Sequence, residues 1–522
     1  MRIQKLQLGL LLCLLGCNAD ESGSNESRPM GPIPAVVETS SGPVQGTLGE
    51  GVYVVKGMPY AAPPIENRRF EPPTQHVGWT TPLLASEFGP ACPQPDSPIS
   101  EPGEEDCLTL NIWAPNRLEP KPVMVWFHGG AFYLGSGGNA MYDGSSLAME
   151  GDVVVVTLNY RLGLFGFLPV GTDEMGHLSM LGLLDQQQAL KWVQANIASF
   201  GGDPNNVTIF GESAGGFSVC HHLGMESSDG LYHRAIIQSG GGCKPPKAAA
   251  AAEASAELFW RETQCEFPNL EDRLACAKTL ALETILQTQQ LMPKNALGLV
   301  NIEPFANEAP SLEGGLERRL ASESDIVPVM IGSNLNEMTL FTTLGYVPVS
   351  DENDYEAALD LLGIDSTTKQ AVRALYNEAT HGSLKQAIES LGTDAVFTCP
   401  SLRFAHLSAQ QLHPVFVYHF HLQLGHGLAS LGATHGAEIP YVFNTADAGL
   451  GGLPLRIDIE TDQVRRIQQL WSDFARDGFP TTTLEWPAFD DDSKLVMTMS
   501  DEWSLTADAY QERCDVLSDV TF

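Results

Sequence analysis

The sequence predicts an α/β protein: a large, mostly parallel sheet with helices on both faces. Short apolar runs at 123–127, 153–158, 207–210, 235–238, 327–331 and 415–421 read as buried strands. Helical stretches separate them, among them 184–198, 248–263 and 355–362. Buried strands that alternate with helices form a parallel sheet covered on both sides. A third observation is local. The run 207–210 passes without a gap into Gly211-Glu-Ser-Ala-Gly215, and the residues after it can wind as a helix. Such a tight strand-to-helix turn strains its central residue, and flanking glycines keep side chains from colliding there. Ser213 is thereby presented at the carboxyl end of a strand with a helix N-terminus behind it. Read alone, the pentapeptide is a pattern that chance can supply, so its context has to carry the chemistry.

In chain order, Met1-Arg-Ile-Gln-Lys5 is basic and is followed by an apolar run from Leu6 to Leu15. That run is too short to span a bilayer and has the layout of a secretory signal. It ends in Leu14-Leu-Gly-Cys17, which resembles the lipobox of bacterial lipoproteins. On that reading residues 1–16 are removed, Cys17 is lipidated and residues 17–35, rich in Ser, Gly, Glu and Pro, form a flexible tether. Ordinary cleavage and release is the alternative. The expected location is outside the cytoplasm: anchored to a membrane and facing periplasm or cell surface, or else secreted. Residues 36–522 are expected to form one domain, with a helix-rich insertion at about 244–324.

Of 522 residues, 43% are hydrophobic and 18% charged, which suits a globular chain with a large core. The net charge of −35 excludes nucleic acid as a partner, because phosphates would be repelled. Export changes how the ten cysteines read. Setting aside Cys13 and Cys17, the others lie where disulfides persist. Cys92 and Cys107 bracket one short loop, and Cys265 and Cys276 another. No cysteine or histidine spacing matches a metal site, and no cofactor is expected.

In a parallel sheet the ligand crevice lies at the carboxyl ends of the strands. Residues 123–127 run into His128-Gly-Gly-Ala-Phe132, whose glycines let backbone N–H groups turn toward a ligand. The N–H groups of Gly130, Ala131 and Ala214 can form an oxyanion hole. His128 lies inside the turn and reads as structural. A base for Ser213 is most naturally a histidine. His419 and His421 share one face of a strand and read as packing residues, which leaves His426 and His435 in the loop that follows. Spacing gives His435 only a modest edge. Glu337 follows the strand at 327–331, at the correct end of the sheet, whereas Glu323 and Asp325 precede it. The order Ser213, Glu337, His435 is that of α/β-hydrolases.

Several further motifs carry a resemblance. Glu105-Asp-Cys-Leu-Thr-Leu-Asn-Ile-Trp113, His128-Gly-Gly-Ala-Phe132, Leu158-Asn-Tyr-Arg-Leu-Gly163, Gly201-Gly-Asp-Pro-Asn-Asn-Val207, Gly211-Glu-Ser-Ala-Gly-Gly216 and Thr434-His-Gly-Ala-Glu-Ile-Pro-Tyr441 stand in order along the chain. From Val36 to Cys514 the sequence resembles the type-B carboxylesterase (cholinesterase-like) family, bacterial esterases in particular. The resemblance implies an α/β-hydrolase fold and a serine esterase. It implies the triad Ser213, Glu337 and His435, with oxyanion donors at Gly130, Ala131 and Ala214. It also implies disulfides Cys92–Cys107, Cys265–Cys276 and Cys399–Cys514, free Cys220 and Cys243, and structural ion pairs Arg69–Glu105 and Arg161–Asp185.

The expected substrate is a small neutral ester of short to medium acyl chain. The loop between Cys92 and Cys107 has no Trp where cholinesterases carry the one that stacks on choline, and Met338 stands where the family commonly has Gly. A lipase or amidase on the same machinery, or a non-catalytic binding relative, are the rival expectations.

Overall fold

A computed structural model describes residues 31–96, 100, 103–168, 178, 180–243, 249–304, 315–320, 326–449, 457–507 and 510–518. Cys17, the signal segment and most of the tether lie outside these residues. So do 244–248, 305–314 and 321–324 of the expected insertion.

The centre is an eleven-stranded sheet. Its strands are β1 (Thr47–Gly49), β2 (Val52–Pro59), β3 (Thr109–Pro115), β4 (Lys121–Phe127), β5 (Val154–Leu158), β6 (Gly202–Glu212), β7 (Arg234–Gln238), β8 (Val329–Asn334), β9 (Val415–Phe420), β10 (Leu495–Met499) and β11 (Ser504–Ala507). Their spatial order is β11-β10-β9-β8-β7-β6-β4-β5-β3-β2-β1. From β10 across to β5 every neighbouring pair is parallel. The strands beyond, at both edges, are antiparallel.

The apolar runs are continuous because both faces of the sheet are covered. In β4, Val123, Val125 and Phe127 join the core on one side, while Met124 and Trp126 join the core on the other. Alternating side chains of a strand point to opposite faces, so a strand buried on both sides must be apolar throughout. Helix α1 (Leu181–Asn196) supplies Leu183, Leu190 and Val193 to the first core, and α2 (Ala214–Gly224) follows β6 directly. The helix Thr461–Asp477 supplies Ile467, Leu470, Trp471 and Phe474 to the second. Between β7 and β8 the chain runs through helices Ala249–Glu262, Leu270–Thr279 and Leu282–Gln289. No helix among the described residues is long and apolar enough to cross a membrane.

One strand begins well before the sequence reading has it. Strand β6 starts at Gly202 instead of 207, because Gly202 pairs with Lys121 before a register shift.

The described cysteines form four disulfides. Cys92–Cys107, Cys265–Cys276 and Cys399–Cys514 pair as the resemblance implies. The expectation of free Cys220 and Cys243 is wrong: they are bonded to each other. Helix α2 packs on the end of β7, so two residues far apart in sequence come within 5.0 Å, Cα to Cα. Both ion pairs are present. Arg69 Nε donates to Glu105 Oε2 at 2.7 Å. Arg161, just past β5, is bidentate on Asp185 of α1 at 2.8 and 2.7 Å, and both residues are buried. Burial pushes the Asp185 carboxyl up, opposed by the Arg161 guanidinium.

Arg161→Met therefore leaves an uncompensated buried carboxyl and should destabilise the fold by about 3–5 kcal/mol. Chemical denaturation measures this, and Arg161→Met/Asp185→Leu should recover most of the loss.

Candidate active site

Ser213 sits between β6 and α2 at φ 55°, ψ −125°, a conformation that costs a non-glycine residue about 1–3 kcal/mol. The surroundings hold it there. Its N–H donates to Gln238 O at 3.0 Å, and its carbonyl accepts from Phe217 N at 2.9 Å. The neighbouring glycines allow backbone to touch backbone. A Cβ on Gly215 would lie 1.9 Å from Phe127 O, and one on Gly211 2.5 Å from the Gly215 carbonyl carbon.

After β4 the chain takes positive φ three times in succession: Gly130 at 111°, Ala131 at 53° and Phe132 at 63°. The Gly130 carbonyl accepts from Tyr133 and Leu134, closing the turn. The N–H groups of Gly130, Ala131 and Ala214 donate to no protein acceptor among the described residues. Ala214 is the first residue of α2, where an N–H has no partner within the helix.

Glu337 and His435 come from loops beyond β8 and β9. A parallel bridge between Asn336 and Thr434 fixes those loops to each other, with Asn336 N donating to Ala433 O at 2.9 Å. One residue further on in each, His435 Nδ1–H donates to Glu337 Oε2 at 2.6 Å. The other carboxylate oxygen of Glu337 accepts from Ser239 Oγ at 2.6 Å and Asn334 N at 2.7 Å. Glu337 is buried, and these bonds engage both of its oxygens. The rings of Phe341 and Phe397, each 5.1 Å away, confine the imidazole. His435 Nε2 is left without a hydrogen bond, 3.2 Å from Glu212 Oε1.

Glu212 is a site residue that the sequence reading missed. It lies beside Ser213 in the pentapeptide itself, and only the turn shows that its side chain folds back toward His435. Burial pushes its carboxyl up to about 8; His435 opposes this, and Glu438 and Glu337 add to it. Burial pulls His435 down, but the carboxylates of Glu212, Glu337 and Glu438 outweigh it and raise the imidazole to about 9. The two groups are coupled: a proton on Glu212 removes one of the charges that hold a proton on His435. Glu438 is itself held by Gln238 Nε2 at 3.1 Å and Asn334 Nδ2 at 2.6 Å. Ser239 was also missed, although it directly follows β7 at the end of the sheet where the catalytic candidates were sought.

Two other histidines are taken up by packing. His128 is fully buried, donates from Nδ1 to Gly129 O at 2.8 Å and stacks on Tyr160. Burial lowers it to about 4, so it is neutral. His419 is packed against His421 and Tyr510.

Ser213 borders two cavities. One, of about 930 Å³, also has Gly130, Glu212, His435, Tyr133, Phe341 and Tyr346 in its wall. The other, of about 830 Å³, has Ala214, Phe217, Leu297, Ile302, Val396 and Lys294. Ala131 lines both.

An open, mainly parallel sheet with a serine on a strained strand-to-helix turn at its carboxyl edge defines an α/β-hydrolase. The model of the carboxylesterase family matches residues 33–517. The chain is 37% identical to para-nitrobenzyl esterase of Bacillus subtilis (strain 168), over 92% of its own length and 97% of that protein's. It is 32% identical to phenmedipham hydrolase of Pseudarthrobacter oxydans, covering 90% and 95%, and 31% identical to cholinesterase of Mus musculus, covering 90% and 84%. Among solved structures it is similar to a PNB esterase with TM-score 0.78 at 35% identity and to a thermophylic PNB esterase with TM-score 0.80 at 34%, covering 92% of this chain and 99% of each. The chain belongs to the type-B carboxylesterase (cholinesterase-like) family and is a serine carboxylesterase.

Replacing Glu212 by Gln removes a charge that raises His435 while leaving the burial that lowers it. The His435 imidazole should then lose its proton at a lower pH than about 9, as read by an NMR titration of ¹³C-labelled histidine.

Proposed function

We propose that Ser213, Glu337 and His435 form the catalytic triad of this esterase and act through an acyl-enzyme. The observation that carries the reading is the 2.6 Å bond from His435 Nδ1–H to Glu337, which directs Nε2 to the cavity that Ser213 borders. Ser213 Oγ attacks the ester carbonyl as the neutral form of His435 takes its proton at Nε2, and the carbonyl oxygen becomes an oxyanion. The N–H groups of Gly130, Ala131 and Ala214 stabilise that charge, each such donor typically worth about 10²–10³ in rate. His435 gives its proton to the departing alkoxide, and the alcohol leaves. Water, deprotonated by His435, then attacks the acyl carbon. Collapse of the second oxyanion releases the acid and returns the proton to Ser213.

Proton delivery assigns the two cavities. The leaving oxygen must lie beside His435, so the alcohol occupies the cavity of His435, Glu212 and Phe341. The acyl group takes the opposite one, against Phe217 and Val396. Walls that are mainly apolar on both sides suit neutral esters of short to medium chain. The loop between Cys92 and Cys107 carries no Trp to stack on choline, so we assign a general carboxylesterase role and not a cholinesterase one. We further propose that residues 36–522 act as one hydrolase domain with a helix-rich insertion at about 244–324. Four disulfides are consistent with export, and we assign the anchor to a lipidated Cys17.

Ser213→Ala should lower turnover of p-nitrophenyl butyrate by about 10⁶ with an unchanged circular dichroism spectrum; near-wild-type activity would end the proposal. Phe217→Ala should move the peak of kcat/KM toward longer acyl chains across a p-nitrophenyl ester series. If it changes the preference among alcohols instead, the cavity assignment is reversed.

A further inference from the structure

The Cys220–Cys243 disulfide joins two segments that both reach the site. Cys220 lies on α2, the helix that opens directly after Ser213. Cys243 ends a turn after β7 in which Ser239, Gly241 and Cys243 all have positive φ, at 48°, 57° and 61°. Two of these carry a Cβ, which disfavours that conformation. Within the turn the backbone bond from Cys243 N to Gly240 O is long, 3.5 Å.

Three residues of this turn touch a working part. Ser239 donates to Glu337, the partner of His435. Gly240 lies against Gly216 of α2 so closely that a Cβ on it would fall 2.7 Å from the Gly216 carbonyl carbon. A Cβ on Gly241 would lie 2.4 Å from the Phe217 ring, which walls the second cavity. Both cysteines are buried, so the cross-link sits inside this contact and not on the surface.

We propose that the Cys220–Cys243 disulfide is a positioning device for catalysis. It holds the strained turn against α2, so that Ser239 stays on Glu337 and Phe217 keeps its place in the acyl wall. The inference rests on the triad reading. Its role differs from that of Cys265–Cys276, which ties the segment after helix Ala249–Glu262 to helix Leu270–Thr279, whereas only the helix of Cys220 puts residues, Ala214 and Phe217, into a cavity wall.

The test compares Cys220→Ala/Cys243→Ala with Cys265→Ala/Cys276→Ala on p-nitrophenyl esters. Both should lose thermal stability, but only the first should lose kcat, by about tenfold with KM nearly unchanged, as expected when reacting groups are misplaced by a fraction of an ångström. Ser239→Ala should lower kcat similarly, and combining it with Cys220→Ala/Cys243→Ala should cost little more than either, because both act on one contact. Wild-type kcat in Cys220→Ala/Cys243→Ala, or full additivity with Ser239→Ala, overturns the proposal. If that protein does not fold, Gly241→Ala carries the test. It keeps both cysteines and drives a methyl into Phe217, so an unchanged kcat and acyl preference overturn the proposal equally. An active Ser213→Ala enzyme would instead show that the triad reading itself had failed.

Discussion

The close approach of Gly211 and Gly215 to the Phe127 carbonyl is the constraint on which the site depends. It lets β6 turn straight into α2, and that turn puts Ser213 in a backbone conformation no relaxed serine would take. Three consequences follow together. The serine side chain stands clear of the sheet between two cavities, the first N–H of α2 is left unbonded beside it, and the Glu212 side chain is carried back toward His435. A methyl group on either glycine would collide with main chain, which has no rotamer with which to move aside.

Three buried carboxylates surround one imidazole, an arrangement that is costly unless each charge has a partner. The structure meets this differently at each. Glu337 has an imidazole N–H, a hydroxyl and a backbone N–H. Glu438 has two side-chain amides. Glu212 faces His435 Nε2 at 3.2 Å, and burial raises its carboxyl to about 8 against the opposing pull of His435. The three acids are thus distinguished by their partners, not by their depth.

What the sequence could show followed from periodicity and order. Apolar runs marked the central strands, and the rule that ligands gather at carboxyl ends led to Glu337 and His435, whose side chains the structure places in contact. Spacing alone did not choose between His426 and His435. The distinction depends on the bridge between Asn336 and Thr434, a contact across nearly a hundred residues that no local pattern records. Glu212 was visible in the pentapeptide but its direction was not. Cys220 and Cys243 were set down as free because the family pattern accounted for the other cysteines. Their meeting depends on how α2 packs on the end of β7, which is a tertiary fact.

The two cavities on either side of Ser213 also set an order of events. Under the proposed assignment only one of them contains the imidazole, so the departing alcohol and the incoming water must use the same space in succession. The first product has to leave before the second reactant can enter, whereas the acyl group stays where it was bound. Any small alcohol that fits the vacated space competes with water on equal terms, and in wet organic mixtures the same machinery would exchange one ester for another.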